Sequence, residues 1–213
     1  MLNVRPPKGR RAQRTGLWAK SKWTNTRCFD PFHLEMDQAY RKFFPRGRPS
    51  NLLVKACPTN PRFVMPVSKD DVRTELAKVP TEYLSELDGV VLLGGSRKQE
   101  RVFSSLAYWG CYWSNVIFLA AYPKSYMRRR SKTHVKPSEV AEFKRAGVRF
   151  EPSENGCDVV FDHSSLRTYY LREVLMHELG HHVDRKNFRS KTNRRIEGFA
   201  KWFATEYGYR LRR

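Results

Sequence analysis

The sequence predicts an α+β protein. Two observations carry that reading: short β-branched and aromatic runs bounded by glycine and proline, and amphipathic stretches of helical period, two of which close the chain after its last strands. The 213 residues suit one domain with extensions, and a composition 40% hydrophobic and 13% aromatic is enough for a core, which excludes a disordered chain.

From Met1 to Cys28 there are eight Lys or Arg residues and no acid, so residues 1–29 read as a flexible basic arm. Residues 30–213 form the expected folded domain, with 30–80 a candidate N-terminal subdomain. DPFHLEMDQAYRKFF reads as a helix, with Asp30 at its N-cap and proline at its first position. SNLLVKAC and RFVMPVS read as strands, and SKDDVRTELAKV as a helix capped by Ser68. Leu84 and Leu87 mark a short helix before GVVLLGG, a buried strand. YWGCYWSNVIFLAAY supplies one or two strands, KPSEVAEFKRAG a helix stopped at Gly147, and VRFEPSENGCDVVFD a hairpin turning at Asn155 and Gly156.

The chemistry concentrates in VLMHELGHHVD, Val174 to Asp184. His177 and His181 are four residues apart, so on a helix they point the same way and two imidazoles reach one ion. Glu178, offset by one position, lies beside the ion, where it can take a proton from a metal-bound water. Chance produces H-E-x-x-H in roughly one chain of this length in a hundred or more. The context is helical, since Leu171, Val174, Leu175, Leu179 and Val183 keep an apolar period and no proline interrupts them. Gly180 costs a helix about 1 kcal/mol relative to alanine, which suggests that another backbone packs closely there.

A catalytic zinc takes three protein ligands and leaves a fourth position to water. The candidate third ligand is Glu197, sixteen residues beyond His181, at the start of a second amphipathic helix marked by Ile196, Phe199, Ala200, Phe203 and Ala204. Asp184 and Glu206 are weaker alternatives, because a straight helix carries each past the ion. His182, about 100° around the helix from His181, reads as a packing residue.

With these residues the chain resembles the gluzincin metallopeptidases, in which H-E-x-x-H on one helix is completed by a glutamate on the next, and among them the small members with short spacers. The matching residues are His177, Glu178, His181 and Glu197, and the resemblance covers about the last fifty residues. It implies a zincin-like fold: a small, mostly antiparallel sheet, an edge strand that binds extended peptide, and the active helix beneath it. It also implies one Zn2+ ion, a protein or peptide substrate, and peptide-bond hydrolysis with Glu178 as general base.

Tyr169, Tyr170, Tyr207 and Tyr209 are possible hydrogen-bond donors to a developing oxyanion, Tyr207 being the one singled out, though such tyrosines are more often core or rim residues. The net charge of +20 gathers in the arm, in KSYMRRRSK and from Arg185 onward. Arg10, Arg11, Arg14, Arg128, Arg129 and Arg130 are candidate nucleic-acid contacts, with Trp18, Trp23 and Tyr126 interleaved as stacking surfaces. A solvated basic face or an attraction to acidic substrates accounts for the same charge, and no recognised nucleic-acid motif is present. No apolar run is long enough for a membrane helix and no signal peptide is evident, so a cytoplasmic protein is expected. Cys28, Cys57, Cys111 and Cys157 are scattered, as reduced thiols are.

Two function classes follow: a zinc peptidase, or a basic nucleic-acid-associated protein whose zincin domain is structural or acts only on nucleic-acid-bound proteins. SprT-like proteases combine both themes but use a third histidine, and none follows His182 here.

Overall fold

The structure, a computed structural model, describes residues 31–45, 49, 51–102, 109–131, 137–154, 156–187 and 192–212. The expected arm, with Arg10, Arg11, Arg14, Trp18 and Trp23, lies outside them, as do Asp30 and Asn155.

The chain is α+β. Helix α1 (Pro31–Phe43) precedes β1 (Leu53–Ala56) and β2 (Phe63–Val64), then come α2 (Lys69–Leu76), α3 (Thr81–Leu84), β3 (Gly89–Leu92) and α4 (Arg97–Val102). Strands β4 (Gly110–Trp113), β5 (Val116–Leu119), β6 (Tyr122–Pro123) and β7 (Arg128–Ser131) follow. After α5 (Pro137–Arg145), the hairpin β8 (Arg149–Ser153) and β9 (Gly156–Val160) leads into α6 (His163–Thr168), a π-helical turn (Tyr169–Val174), α7 (Leu175–Asn187) and α8 (Asn193–Gly208). Ser68 caps α2 through a reciprocal pair of bonds with Asp71, and Gly147 ends α5 at φ +82, a left-handed conformation that favours glycine.

The expectation of one small, mostly antiparallel sheet needs correction. The described residues form three small sheets, and the largest, ordered β1-β3-β5-β4, is mixed: β1 with β3 and β3 with β5 are parallel, and only β4 with β5 is antiparallel. Connection length explains the difference. Helical crossovers return a chain in parallel, whereas the two-residue turn Ser114-Asn115, both residues at positive φ, can only reverse it. The other sheets, β2-β6 and β7-β9-β8, are antiparallel. Strand β1, within the candidate N-terminal subdomain, pairs with β3 of the main sheet.

Alternation along the strands divides the core. Val90, Leu92, Ile117 and Leu119 meet the cluster that holds α2 and α7, whereas Val91, Leu93, Val116 and Phe118 meet Phe32, Met36 and Ala39 of α1. Covered on both faces, β3 and β5 are buried along their whole length, as their unbroken apolar sequences require. The edge strand β4 lies against α7, and α7 packs along α8. No helix among the described residues is long and apolar enough to cross a membrane.

Candidate metal centre

Asp162 starts the segment that carries the site. Its carboxylate accepts from Ser165 N at 2.7 Å, and its own N–H donates to Ser165 Oγ at 3.0 Å, which fixes the first turn of α6. The ladder then widens: Leu175 N donates to Tyr170 O, five residues back, closing a π turn. The sequence pattern reads as one continuous helix here, because periodicity does not register a single extra residue. Leu171, Val174, Leu175, Leu179 and Val183 are all buried, so the apolar stripe points where its spacing indicates.

Gly180 explains how α8 reaches the histidines. A Cβ there would stand 2.7 Å from Ala200 Cα and 3.1 Å from Phe203 Cβ, closer than atoms pack. The bare backbone lets the helices touch, as the glycine suggests. Glu197, one turn before Ala200, thereby faces the two histidines.

His177 Nε2 and His181 Nε2 lie 3.0 Å apart. Glu197 Oε2 is 3.4 Å from the first and Glu197 Oε1 3.7 Å from the second. Among the described residues these three form the group whose donor atoms converge closely enough for one metal ion. Tetrahedral zinc with bonds of about 2.0–2.1 Å holds its ligand atoms about 3.4 Å apart; the two histidine nitrogens lie 3.0 Å apart, and each has one of the two Glu197 oxygens within 3.7 Å. The donor set therefore fits zinc. Glu197 keeps 48% of its side-chain surface exposed, so the site opens to solvent.

The charges suit a cation. Burial opposes protonation of His177, but the Glu197 hydrogen bond and the charges of Glu178, Glu197 and Glu142 outweigh it and raise its pKa. Burial, reinforced by the neighbouring His177, lowers that of His181. Burial also works against the Glu197 carboxylate, yet its bond to His177 and the charges of the two histidines and Lys201 win and hold its pKa down. Lys201 is tethered in turn to Glu142 of α5 at 3.3 Å.

Glu178 is buried, and its Oε2 accepts from Tyr112 N, in the edge strand, at 2.8 Å. One helical turn on, His182 Nδ1 lies 3.0 Å from Tyr112 Oη and His182 Nε2 3.0 Å from Ser85 O. Tyr112 Oη also donates to Asn115 Oδ1 at 3.0 Å. His182 is thus the packing residue its position suggests, pinning β4 and the loop after α3 to α7. Sequence reasoning overlooked Tyr112. The available signal was Gly110, a glycine inside a strand pattern, which marks a close approach. A Cβ at Gly110 would come within 2.8 Å of Val174 Cγ1 and 3.2 Å of Glu178 Cγ.

The singled-out tyrosines go elsewhere. Tyr207 stacks on Phe203 with centroids 4.3 Å apart and meets Tyr83 of α3 edge-on, and ten residues of helix carry it about 15 Å along the axis from Glu197. That separation corrects the expectation of an oxyanion role for it. Tyr169 and Tyr170 are core residues, the latter donating to Ala120 O at 2.8 Å, and Tyr209 lies under Arg145 and Arg172. Asp184 is buried outside the converging group, and Glu206 lies 3.4 Å from Arg210. Arg128 is held by Asp158, at 3.0 Å, and by Glu151, while Arg129 and Arg130 pair through their backbones with Val159 and Asp158. Cys57, Cys111 and Cys157 are each partly buried.

No known family model matches the chain, and no curated protein or solved structure is significantly similar to it.

Proposed function

We propose that the protein is a zinc-dependent metallopeptidase of zincin-like architecture, with His177, His181 and Glu197 as ligands and Glu178 as general base. The observation that carries the reading is the pairing of a converging three-donor group with a carboxylate one residue off its face, braced by a sheet edge. A bound zinc would supply Lewis-acid polarisation of the attacked carbonyl and of the water that attacks it.

The chain's own residues do the rest. With Oε2 tied to Tyr112 N, Glu178 presents Oε1 to the attacking water, takes its proton and returns it to the leaving amine. Hydrogen bonding alternates along an antiparallel strand, and Tyr112 N already points away from β5 toward α7, so Gly110 turns its backbone outward as well. An extended peptide adds to that edge, its scissile bond brought over the ligand group by the helix beneath.

A structural zinc site has no use for a base beside the ion. The test is Glu178→Gln, which keeps size and fold but cannot accept the proton. Turnover of a fluorogenic peptide library is expected to fall by roughly 10² to 10⁴ with zinc content unchanged. Equal turnover in the variant would remove the peptidase assignment and leave a structural site.

A further inference from the structure

We propose that a cavity of about 520 Å³, walled by Arg62, Arg97, Glu100, Arg101, Ser125 and Tyr126, binds the phosphodiester backbone of a single-stranded nucleic acid. The proposal does not depend on the peptidase reading.

Three segments build the cavity. Strands β2 and β6 pair antiparallel, and Lys124 N donates to Arg62 O at 2.9 Å, which sets Arg62 beside the turn of Ser125 and Tyr126. Helix α4 is moored to both: Glu100 lies 2.9 Å from Arg62 Nε and accepts from Ser125 Oγ at 3.0 Å. At its root Glu35 of α1 accepts from Gly94 N and Gly95 N and from Gln99 Nε2. The wall is therefore fixed on two sides.

Its charge is unbalanced. Among the described residues Glu100 is the one carboxylate on the wall, and Arg62 and Ser125 already engage it. Arg97 and Arg101, one turn apart on the same face of α4, meet no carboxylate among the described residues. Two guanidiniums left uncompensated over a concavity are a geometry that phosphate oxygens satisfy, since each fork donates to two oxygens at once. Arg128, by contrast, is already occupied by Glu151 and Asp158. Tyr126 gives the same wall an aromatic member, and aromatic and basic groups together are what single strands use. The net charge of +20 draws such a polyanion from a distance.

The experiment compares the full chain with Arg97→Gln/Arg101→Gln and with a control of equal charge change at exposed lysines away from the cavity, Lys69→Gln/Lys144→Gln. Fluorescence anisotropy of a labelled oligothymidylate is read between about 50 and 200 mM salt. The cavity variant is expected to bind at least about tenfold more weakly and to lose about 1.4 from the log–log salt slope, at about 0.7 per phosphate contact. The control is expected to change by less than about threefold. Unchanged thermal unfolding and zinc content would show that the variant is folded. Equal losses in both variants, no loss in either, no binding by the parent protein, or displacement of the oligonucleotide by polyglutamate at equal charge concentration would each overturn the proposal.

Discussion

At the scale of single residues, His177 would govern how the proposed site takes up a cation. Burial acts against its protonation, but the Glu197 bond and three nearby carboxylates raise its pKa, so a proton must leave before a metal binds. The acid form competes with the ion. Zinc affinity is therefore expected to be full above the raised pKa and to weaken below it by up to about tenfold per pH unit, with proton release visible in calorimetry in buffers of different ionisation enthalpy. The ligands themselves are separable by substitution. His177→Ala, His181→Ala and Glu197→Ala are each expected to abolish stoichiometric zinc by elemental analysis, whereas Asp184→Ala and Glu206→Ala retain it, because neither carboxylate belongs to the converging group. Loss of metal in Asp184→Ala with retention in Glu197→Ala would reassign the site. That His177 and His181 share a face was legible in sequence because helical spacing alone fixes their bearings, and Glu197 was legible as a carboxylate at the start of the next amphipathic helix. Tyr112 was not, since the bond from its N–H to Glu178 spans 66 positions that no local pattern records.

Among the elements, the α7–α8 contact turns on one missing methyl group. Gly180→Ala would gain up to about 1 kcal/mol in helix propensity, but its Cβ meets backbone at 2.7 Å, and overpacking of that kind costs about 1–3 kcal/mol. A net loss of about 1–2 kcal/mol in metal-free protein is expected from denaturant midpoints, together with weaker zinc binding as α8 carries Glu197 outward. A gain in stability would mean that the helices sit farther apart. Helix α2 is tied to α6 by Arg167, whose Nη2 donates to Asp71 Oδ1 at 2.6 Å, and that bond, ahead of the Ser68 N–H, brings the Asp71 pKa down to about 2. A carboxyl lowered by folding contributes stability that is present above its unfolded value, about 3.9, and is lost as pH falls toward about 2. The pair is partly exposed, so less than about 1 kcal/mol is at stake. Arg167→Ala is expected to return the Asp71 titration, followed by NMR, toward the ordinary carboxylate range and to flatten acid destabilisation in that window. Most of these elements show in the sequence through periodicity and caps. Helix α4, β7 and α6 do not: α4 is a polar single turn and a half, β7 reads as a charge cluster, and α6 lacks an apolar stripe.

For the whole molecule, the sequence conveys the class of fold but not the direction of its strands. Apolar runs such as GVVL and VIFL announce burial on both faces, and burial on both faces belongs to strands that neighbours flank on either side; which neighbour, and in which sense, depends on crossovers that leave no periodic trace. The π turn has a different consequence, which concerns inheritance more than stability. A segment whose hydrogen bonds skip five residues is an α-helix with one residue to spare. Remove one position between Tyr169 and Val174 and the ladder closes as ordinary α, with α6 and α7 keeping their places. Remove one from α6 or from the start of α7 and everything beyond it swings by about 100° against the sheet, carrying Glu178 away from Tyr112 N. In any lineage of such chains, that six-residue window is where a gap leaves the seat of α7 on the edge strand intact, and the flanking helices are where length has to be held constant.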